Sequence, residues 1–194
     1  MPDADARWSD YYKATDGRGL NPLYRQAVGL FSEPGRALDI GCGTGIEAGD
    51  LLDRGWAVTA MDSEPAAVAA VIDRIGGNPL LTVVDSPCWW GQGLGAVQFA
   101  WAGYSLPFMD VAAAWEGITG HVVAGGVFAG QFFGERDDWA AGDDVEAVSV
   151  SRLEEMLTGW EVIRCDERDE DGPSANHGEK HWHVYSVVAR RTGG

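Results

Sequence analysis

The stretch Ala37-Leu38-Asp39-Ile40-Gly41-Cys42-Gly43-Thr44-Gly45 constrains this chain more than any other. An apolar run ends in three alternate glycines, and Ile46 to Arg54 then follows helical periodicity. That is a strand feeding a tight glycine turn that opens a helix, the arrangement by which α/β folds grip nucleotide-like cofactors. Spacing selects among those cofactors. A dinucleotide fingerprint places glycines first, third and sixth, and the sixth position here is Ile46. The pattern is instead acid-x-Gly-x-Gly-x-Gly, with Asp39 two residues ahead of the first glycine.

Composition narrows the partners. A chain of 194 residues with 45% hydrophobic content and nine tryptophans predicts one globular domain, with residues 1–34 as a helical N-terminal lid segment and residues 35–194 as the core. A net charge of −16 and no cluster of Lys or Arg argue against a nucleic-acid partner, while a neutral or cationic small molecule is tolerated. Solubility alone also accounts for that acidity. No apolar run approaches the roughly 20 residues that cross a bilayer. Met1 to Asp16 is acidic and aromatic, unlike a signal peptide. Cys42, Cys88 and Cys165 are odd in number and irregularly spaced, so no disulfide framework is expected and a cytoplasmic setting is.

Along the chain, Trp8, Tyr11, Tyr12 and Tyr24 flank the Asn21-Pro22 break as helical lid pieces. Trp56 to Met61 reads as a second strand ending at Asp62, 17 residues beyond Gly45. A carboxylate there can accept from both hydroxyls of a cofactor ribose. Ser63-Glu64-Pro65 predicts a helix start with Ser63 as cap, and Val68, Val71, Ile72 and Ile75 give that helix a core face. Leu80 to Val84 is a third strand closing on Asp85-Ser86, and Trp89-Trp90 beside Cys88 follow. Val97 to Ala102 is strand four, so the cleft is expected just past its end, at Tyr104 and Ser105. A helix with Val111, Trp115, Ile118 and Val122 on its core face is expected to stop at Gly125-Gly126, before a buried strand over Val127 to Phe133. The charged loop Gly134 to Trp139 sits at that strand's end. Ser151-Arg152-Leu153-Glu154 reads as a capping box for a helix continuing through Trp160. Glu161 to Cys165 is a sixth strand, Asp166 to Glu179 a solvated acidic loop, and His181 to Ala189 a final antiparallel strand.

The glycine motif resembles motif I of the class I S-adenosylmethionine (SAM) methyltransferases. The β-α succession with a terminal hairpin is similar to the same family. The segments Tyr104-Ser105-Leu106-Pro107-Phe108, Gly130 to Trp139 and Lys180-His181-Trp182-His183-Val184 resemble a small bacterial subgroup similar to the tellurite-resistance and type-11/12 methyltransferases. The resemblance implies a Rossmann-like seven-stranded α/β sheet, mostly parallel, with helices on both faces and the last strand inserted antiparallel between the fifth and sixth. It implies SAM as cofactor, with Asp39, Gly41, Cys42 and Gly43 around its methionine half, Asp62 and Ser63 at the ribose, and Asp85 and Ser86 near the adenine. From the lid, Tyr12 is expected at the cofactor. Tyr11, Tyr12, Lys13 and Arg18 are candidates for the methionine carboxylate.

At the acceptor end Tyr104, Asp138 and Trp139 are the expected substrate contacts. Methyl transfer is mainly a matter of alignment, and an oxygen nucleophile also needs a base. Tyr104, His181 and His183 are the catalytic candidates, none of them assigned. His177, His181 and His183 have ligand-like spacing, but a polar sheet edge is the plainer reading, and no metal is expected. Glu135, Asp137 and Asp138 suit either a cationic substrate or a solvated loop. The expected function is methyl transfer to a small-molecule acceptor. Alternatives are a SAM-binding protein that does not methylate or, further off, a nicotinamide-dependent oxidoreductase. Oligomeric state cannot be read from the sequence.

Overall fold

A computed structural model describes residues 4–15, 17–86, 94–142, 144–175 and 178–193. The elements run α1 (Ala4–Thr15), α2 (Pro22–Val28), β1 (Arg36–Ile40), α3 (Ile46–Asp53), β2 (Ala57–Asp62), α4 (Pro65–Ile75), β3 (Leu81–Asp85), β4 (Val97–Ala102), α5 (Val111–His121), β5 (Val122–Phe133), α6 (Val150–Met156), β6 (Trp160–Ser174) and β7 (Gly178–Arg191). Among the described residues the strands form one seven-stranded sheet in the order β3-β2-β1-β4-β5-β7-β6. The first five strands pair in parallel, and β7 enters antiparallel between β5 and β6. This is the expected Rossmann-like sheet. The order reverses between β1 and β4, where an open α/β sheet forms its ligand crevice.

Alternation along the central strands sends side chains into two layers. Leu38, Ile40, Phe128 and Phe132 face α5 and α6, packing with Trp115, Ile118 and Trp160. Ala37, Phe99, Trp101 and Val127 face α2 and α3, packing with Tyr24, Leu51 and Trp56. The second half of the predicted lid segment is therefore core, since Leu23, Tyr24, Ala27 and Val28 of α2 are all buried.

Several boundaries differ from expectation. The residue capping α4 is Glu64, not Ser63, because Asp62 Oδ1 already accepts the Glu64 N–H at 3.0 Å. Ala67 and Val71 are the buried positions of α4, whereas Ile72 is 53% exposed, because the contact stripe against β2 and β3 is narrow. The fifth strand begins at Val122, directly after α5, so Gly125-Gly126 lies inside β5 at a register irregularity rather than ending the helix. Helix α6 is capped by Ser149, whose Oγ accepts from Arg152 N at 3.2 Å, and Trp160 is already the first residue of β6.

The largest difference is the predicted loop Asp166 to Glu179. Asp166 to Ser174 and Gly178 to Glu179 are strand, with β6 and β7 paired from Trp160–Arg191 to the Ser174–Gly178 end, apart from one register shift between Val162 and Arg164. Its acids are held by cross-strand charge rather than by apolar alternation. Arg136 bonds Glu167 at 2.9 Å and Asp169 at 2.6 Å, and His181 bonds Asp169 at 2.7 Å and Asp171 at 2.8 Å. An edge strand carrying that much charge also resists pairing with another molecule.

Candidate active site

The glycine turn closes the floor of a cavity of about 1200 Å³ at the carboxyl ends of β1, β2 and β4. Gly41, Gly43 and Gly45 have φ of 67°, 52° and 75°, the left-handed region that side chains avoid. At Gly41 space is a second reason, because a Cβ there would lie 2.2 Å from Ser105 Cβ. The turn is tied to β2 by Gly41 and Cys42 N–H bonds to Met61 O, at 2.8 and 2.9 Å. Gly43 N–H donates to Asp62 Oδ2 at 2.9 Å.

Two buried carboxylates face this half. Asp39 is 2% exposed, and burial, followed by the neighbouring Glu47, pushes its carboxyl well above the usual range. Its Oδ2 has no hydrogen-bond partner, so the buried acid lacks a counter-group on that oxygen. Asp62 is also raised by burial, against the pull of the Glu64, Gly43 and Ser63 backbone N–H groups and of Tyr12. Above them lies the lid. Tyr12 and Tyr11 of α1 line the cavity, and a Cβ at Gly43 would come within 3.5 Å of the Tyr12 ring. Arg18 locks the lid's end to α3 by two bonds to Glu47, each 2.7 Å, and Glu47 also accepts the Asn21 N–H.

The other half is aromatic. Trp8 meets Phe108 edge-on at 5.0 Å, closing α1 onto the turn after β4. Phe108, Phe133, Trp139, Trp182 and Tyr104 continue as one network with ring centroids 5.5 to 6.4 Å apart. Tyr104 has φ of 59°, the one described non-glycine residue in the left-handed region. Such strain is held where the surroundings demand it, commonly at ligand sites. Burial raises its hydroxyl, with Arg168 pulling the other way.

The cavity brings together Tyr12, Asp39, Gly41, Cys42, Gly43, Asp62, Ser63, Ser86, Tyr104, Asp138 and Trp139. Asp85 does not line it. That residue is exposed and sits opposite Asp62 in the β2–β3 register, while Ser86 reaches the site, its N–H bonding Asp62 O. Neither His181 nor His183 lines it either. On β7 the even residue Trp182 faces the cavity, so 181, 183 and 185 point to the opposite side. There His183 Nδ1 accepts the Arg136 N–H at 3.0 Å and Nε2 bonds Glu167 at 2.9 Å, steadying the turn that carries Trp139. The catalytic role considered for these two residues is thus removed by strand parity. Glu167, Asp169 and His183 are close enough for a metal, but the Arg136 guanidinium already occupies their midst. His121 bonds Gly117 within α5, away from the cavity. The expectations placed on Cys88, Trp89, Trp90 and His177 lie outside the described residues.

Sequence reasoning missed Glu47, Lys180 and Arg168. The Arg18–Glu47 clamp joins residues 29 apart, with no local pattern to mark it. Lys180 and Arg168 fall in or next to the stretch read as a loop, whose acidic composition carries no apolar alternation to mark a strand.

The comparisons agree with this geometry. A family model described as a methyltransferase domain matches residues 38–129. No curated protein sequence matches the chain. Among solved structures, TehB from Haemophilus influenzae aligns with a TM-score of 0.75 at 17% identity, covering 94% of this chain. The chain spans 66% of TehB's length, just under two thirds. The N-methyltransferase NodS from Bradyrhizobium japonicum, in complex with S-adenosylhomocysteine (SAH), gives 0.69 at 13% identity, covering 96% of this chain and 98% of NodS. The Burkholderia thailandensis 1,6-didemethyltoxoflavin-N1-methyltransferase gives 0.67 at 18%, covering 97% and 87%. The site fits SAM, because an orphaned buried carboxylate oxygen at Asp39 suits an ammonium group and the glycine turn leaves the main chain bare. Residues 38–129 thus match the methyltransferase-domain model, and the whole chain has the fold of these solved methyltransferases.

Proposed function

We propose that this protein is a SAM-dependent methyltransferase that methylates a small molecule within its cavity rather than on a protein or nucleic-acid surface. The observation that carries this is the cavity itself. At about 1200 Å³ it exceeds the roughly 300–1,000 Å³ of a single ligand site, leaving room for a cofactor and a small acceptor together. The lid supports the reading, since Trp8 against Phe108 restricts the mouth. So does the charge of −16, which repels polyanions. TehB, NodS and the toxoflavin enzyme share the fold, and the last is named for a small-molecule acceptor.

When bound, SAM would supply an electrophilic sulfonium methyl group. The residues of this chain bind and align. Asp39 Oδ2, which has no partner of its own, would accept from the ammonium of the methionine half. Asp62 keeps Gly43 in place with Oδ2 and offers its remaining acceptor capacity to the ribose hydroxyls. Ser86, with Asp85 beside it, lies toward the adenine, and Ser63 flanks the ribose. Tyr12 covers the turn from above. Tyr104, raised by burial, keeps its proton at neutral pH, so it donates a hydrogen bond to the acceptor rather than acting as a base. Trp139 and Asp138 form the acceptor wall. Exclusion of water and fixed alignment are the catalytic contribution.

The test is calorimetric titration with SAM and SAH, then incubation with SAM and a panel of small aromatic molecules, following SAH and methylated product by mass spectrometry. Product from at least one small molecule, and none from bulk protein or nucleic acid, is the expected result. Methylation of macromolecules alone would refute the assignment.

A further inference from the structure

The acceptor wall has a cation built in behind it. Lys180 is 6% exposed, and its Nζ lies 4.0 Å from the Trp139 and Trp182 ring centroids and 5.0 Å from that of Phe133. It is ion-paired with Asp137, whose side chain is fully buried. A cage of aromatic rings over a carboxylate is the usual receptor for an alkylammonium ligand. Here the chain's own lysine fills it. The three rings line the cavity and Lys180 does not. A cation behind a ring withdraws π density from its cavity side, which disfavours a second cation there.

The acids at that end are already engaged. Asp110 Oδ1 caps α5 by accepting Ala113 N–H at 2.9 Å, Asp138 Oδ2 accepts His181 N–H at 2.8 Å, and Asp144 has a partner of its own. Asp137 is spent on Lys180 and on the His183 and Trp139 N–H groups. Glu135, the third acid considered for a cationic substrate, does not line the cavity.

Two described cations line the cavity, Arg18 and Arg168. Arg18 gives both Nη groups to Glu47. Arg168 gives Nε to Glu170 at 3.0 Å, and Glu170 is 66% exposed on its side chain. The guanidinium carbon of Arg168 sits 5.2 Å from the Trp182 ring centroid, and its Nη groups have no acceptor among the described residues. A half-buried guanidinium resting on an aromatic wall, with its outer donors free, matches a planar anion.

Resting on the small-molecule reading above, we propose that the methyl acceptor is an aromatic carboxylate. Its ring lies against Trp139 and Trp182, and its carboxylate is held by the Nη groups of Arg168. One guanidinium with two Nη groups free among the described residues suits one planar carboxylate, whereas a phosphate dianion would bring more negative charge beside Asp138 and Asp110.

The probes are 2-naphthoate, 2-naphthamide and 2-naphthylmethylammonium, which share a ring and differ in charge. Each is titrated into SAH-loaded and SAH-free protein, following tryptophan fluorescence, after SAH affinity has been measured by calorimetry. Naphthoate is expected to bind at least tenfold tighter than the amide, and tighter still than the ammonium. Arg168→Gln is expected to weaken naphthoate at least tenfold, the amide less than twofold and SAH not at all. No binding of naphthoate, equal binding of acid and amide, a tightest-binding ammonium, or a preference that survives in Arg168→Gln would each overturn the proposal. Failure of SAH to bind would instead strike the methyltransferase reading, and the SAH-free titration still decides the anion preference.

Discussion

Gly43 donates its backbone N–H to Asp62 Oδ2 at 2.9 Å, so the acid ending β2 holds the shape of the turn that follows β1. Asp62 therefore has a duty toward the main chain beside the one proposed for it toward the cofactor. Asp62→Ala removes both, and SAH affinity should fall at least tenfold, about 1.4 kcal/mol. Asp62→Asn, which keeps an acceptor for Gly43, should lose less. Calorimetric titration of the two variants checks this, and wild-type affinity in Asp62→Ala would contradict it.

Gly41 is confined by space as well as by its φ of 67°. Gly41→Ala drives a Cβ to 2.2 Å from Ser105 Cβ. The cost should be at least about 2 kcal/mol from backbone strain and overpacking together. Ser105→Ala cannot relieve the collision, since the Cβ stays. Ser105→Gly can, and the double variant Gly41→Ala/Ser105→Gly should recover part of the loss in urea unfolding.

Lys180 and Asp137 are both buried and paired. Removing one partner strands the other, and Lys180→Met should cost about 3–5 kcal/mol. Adding Asp137→Asn, which still accepts backbone N–H bonds, should restore part of that. A double-mutant cycle from denaturant unfolding reads the coupling, and additive losses would show that the charges do not interact.

The outer face of the β6–β7 hairpin should respond to pH. Asp171 and Asp169 raise the His181 imidazole above its ordinary 6.5, and Arg136, then His181, holds Asp169 down to about 2. Stabilisation from His181 is complete below the unfolded value of 6.5 and is lost as pH rises through its raised folded pKa. Stabilisation from Asp169 is present above 3.8 and is lost as pH falls toward 2. Hydrogen-exchange protection of hairpin amides should therefore peak between those limits and weaken in high salt. In an NMR titration, Asp169→Asn/Asp171→Asn should bring the His181 midpoint back toward 6.5.

The sequence by itself determined the glycine turn and the two acids beside it. Alternate glycines, Asp39 ahead of them and Asp62 after the next strand are features of local backbone, and local spacing specifies local backbone directly. The order of β and α elements was legible for the same reason, through apolar periodicity. Tertiary structure alone decided the aromatic end of the cavity. Strand parity turned His181 and His183 away from the cavity and Trp182 toward it, and parity is undefined until a strand has neighbours. The acidic β6–β7 hairpin lacked the apolar alternation of a strand because ion pairs across the ladder hold it, with Arg136 arriving from a turn more than 30 residues away. The charges that matter there, Lys180 behind the aromatic wall and Arg168 upon it, take their meaning from partners distant in the chain. Burial and pairing convert a charged residue from surface solubility into a binding determinant, and both are properties of the packed molecule.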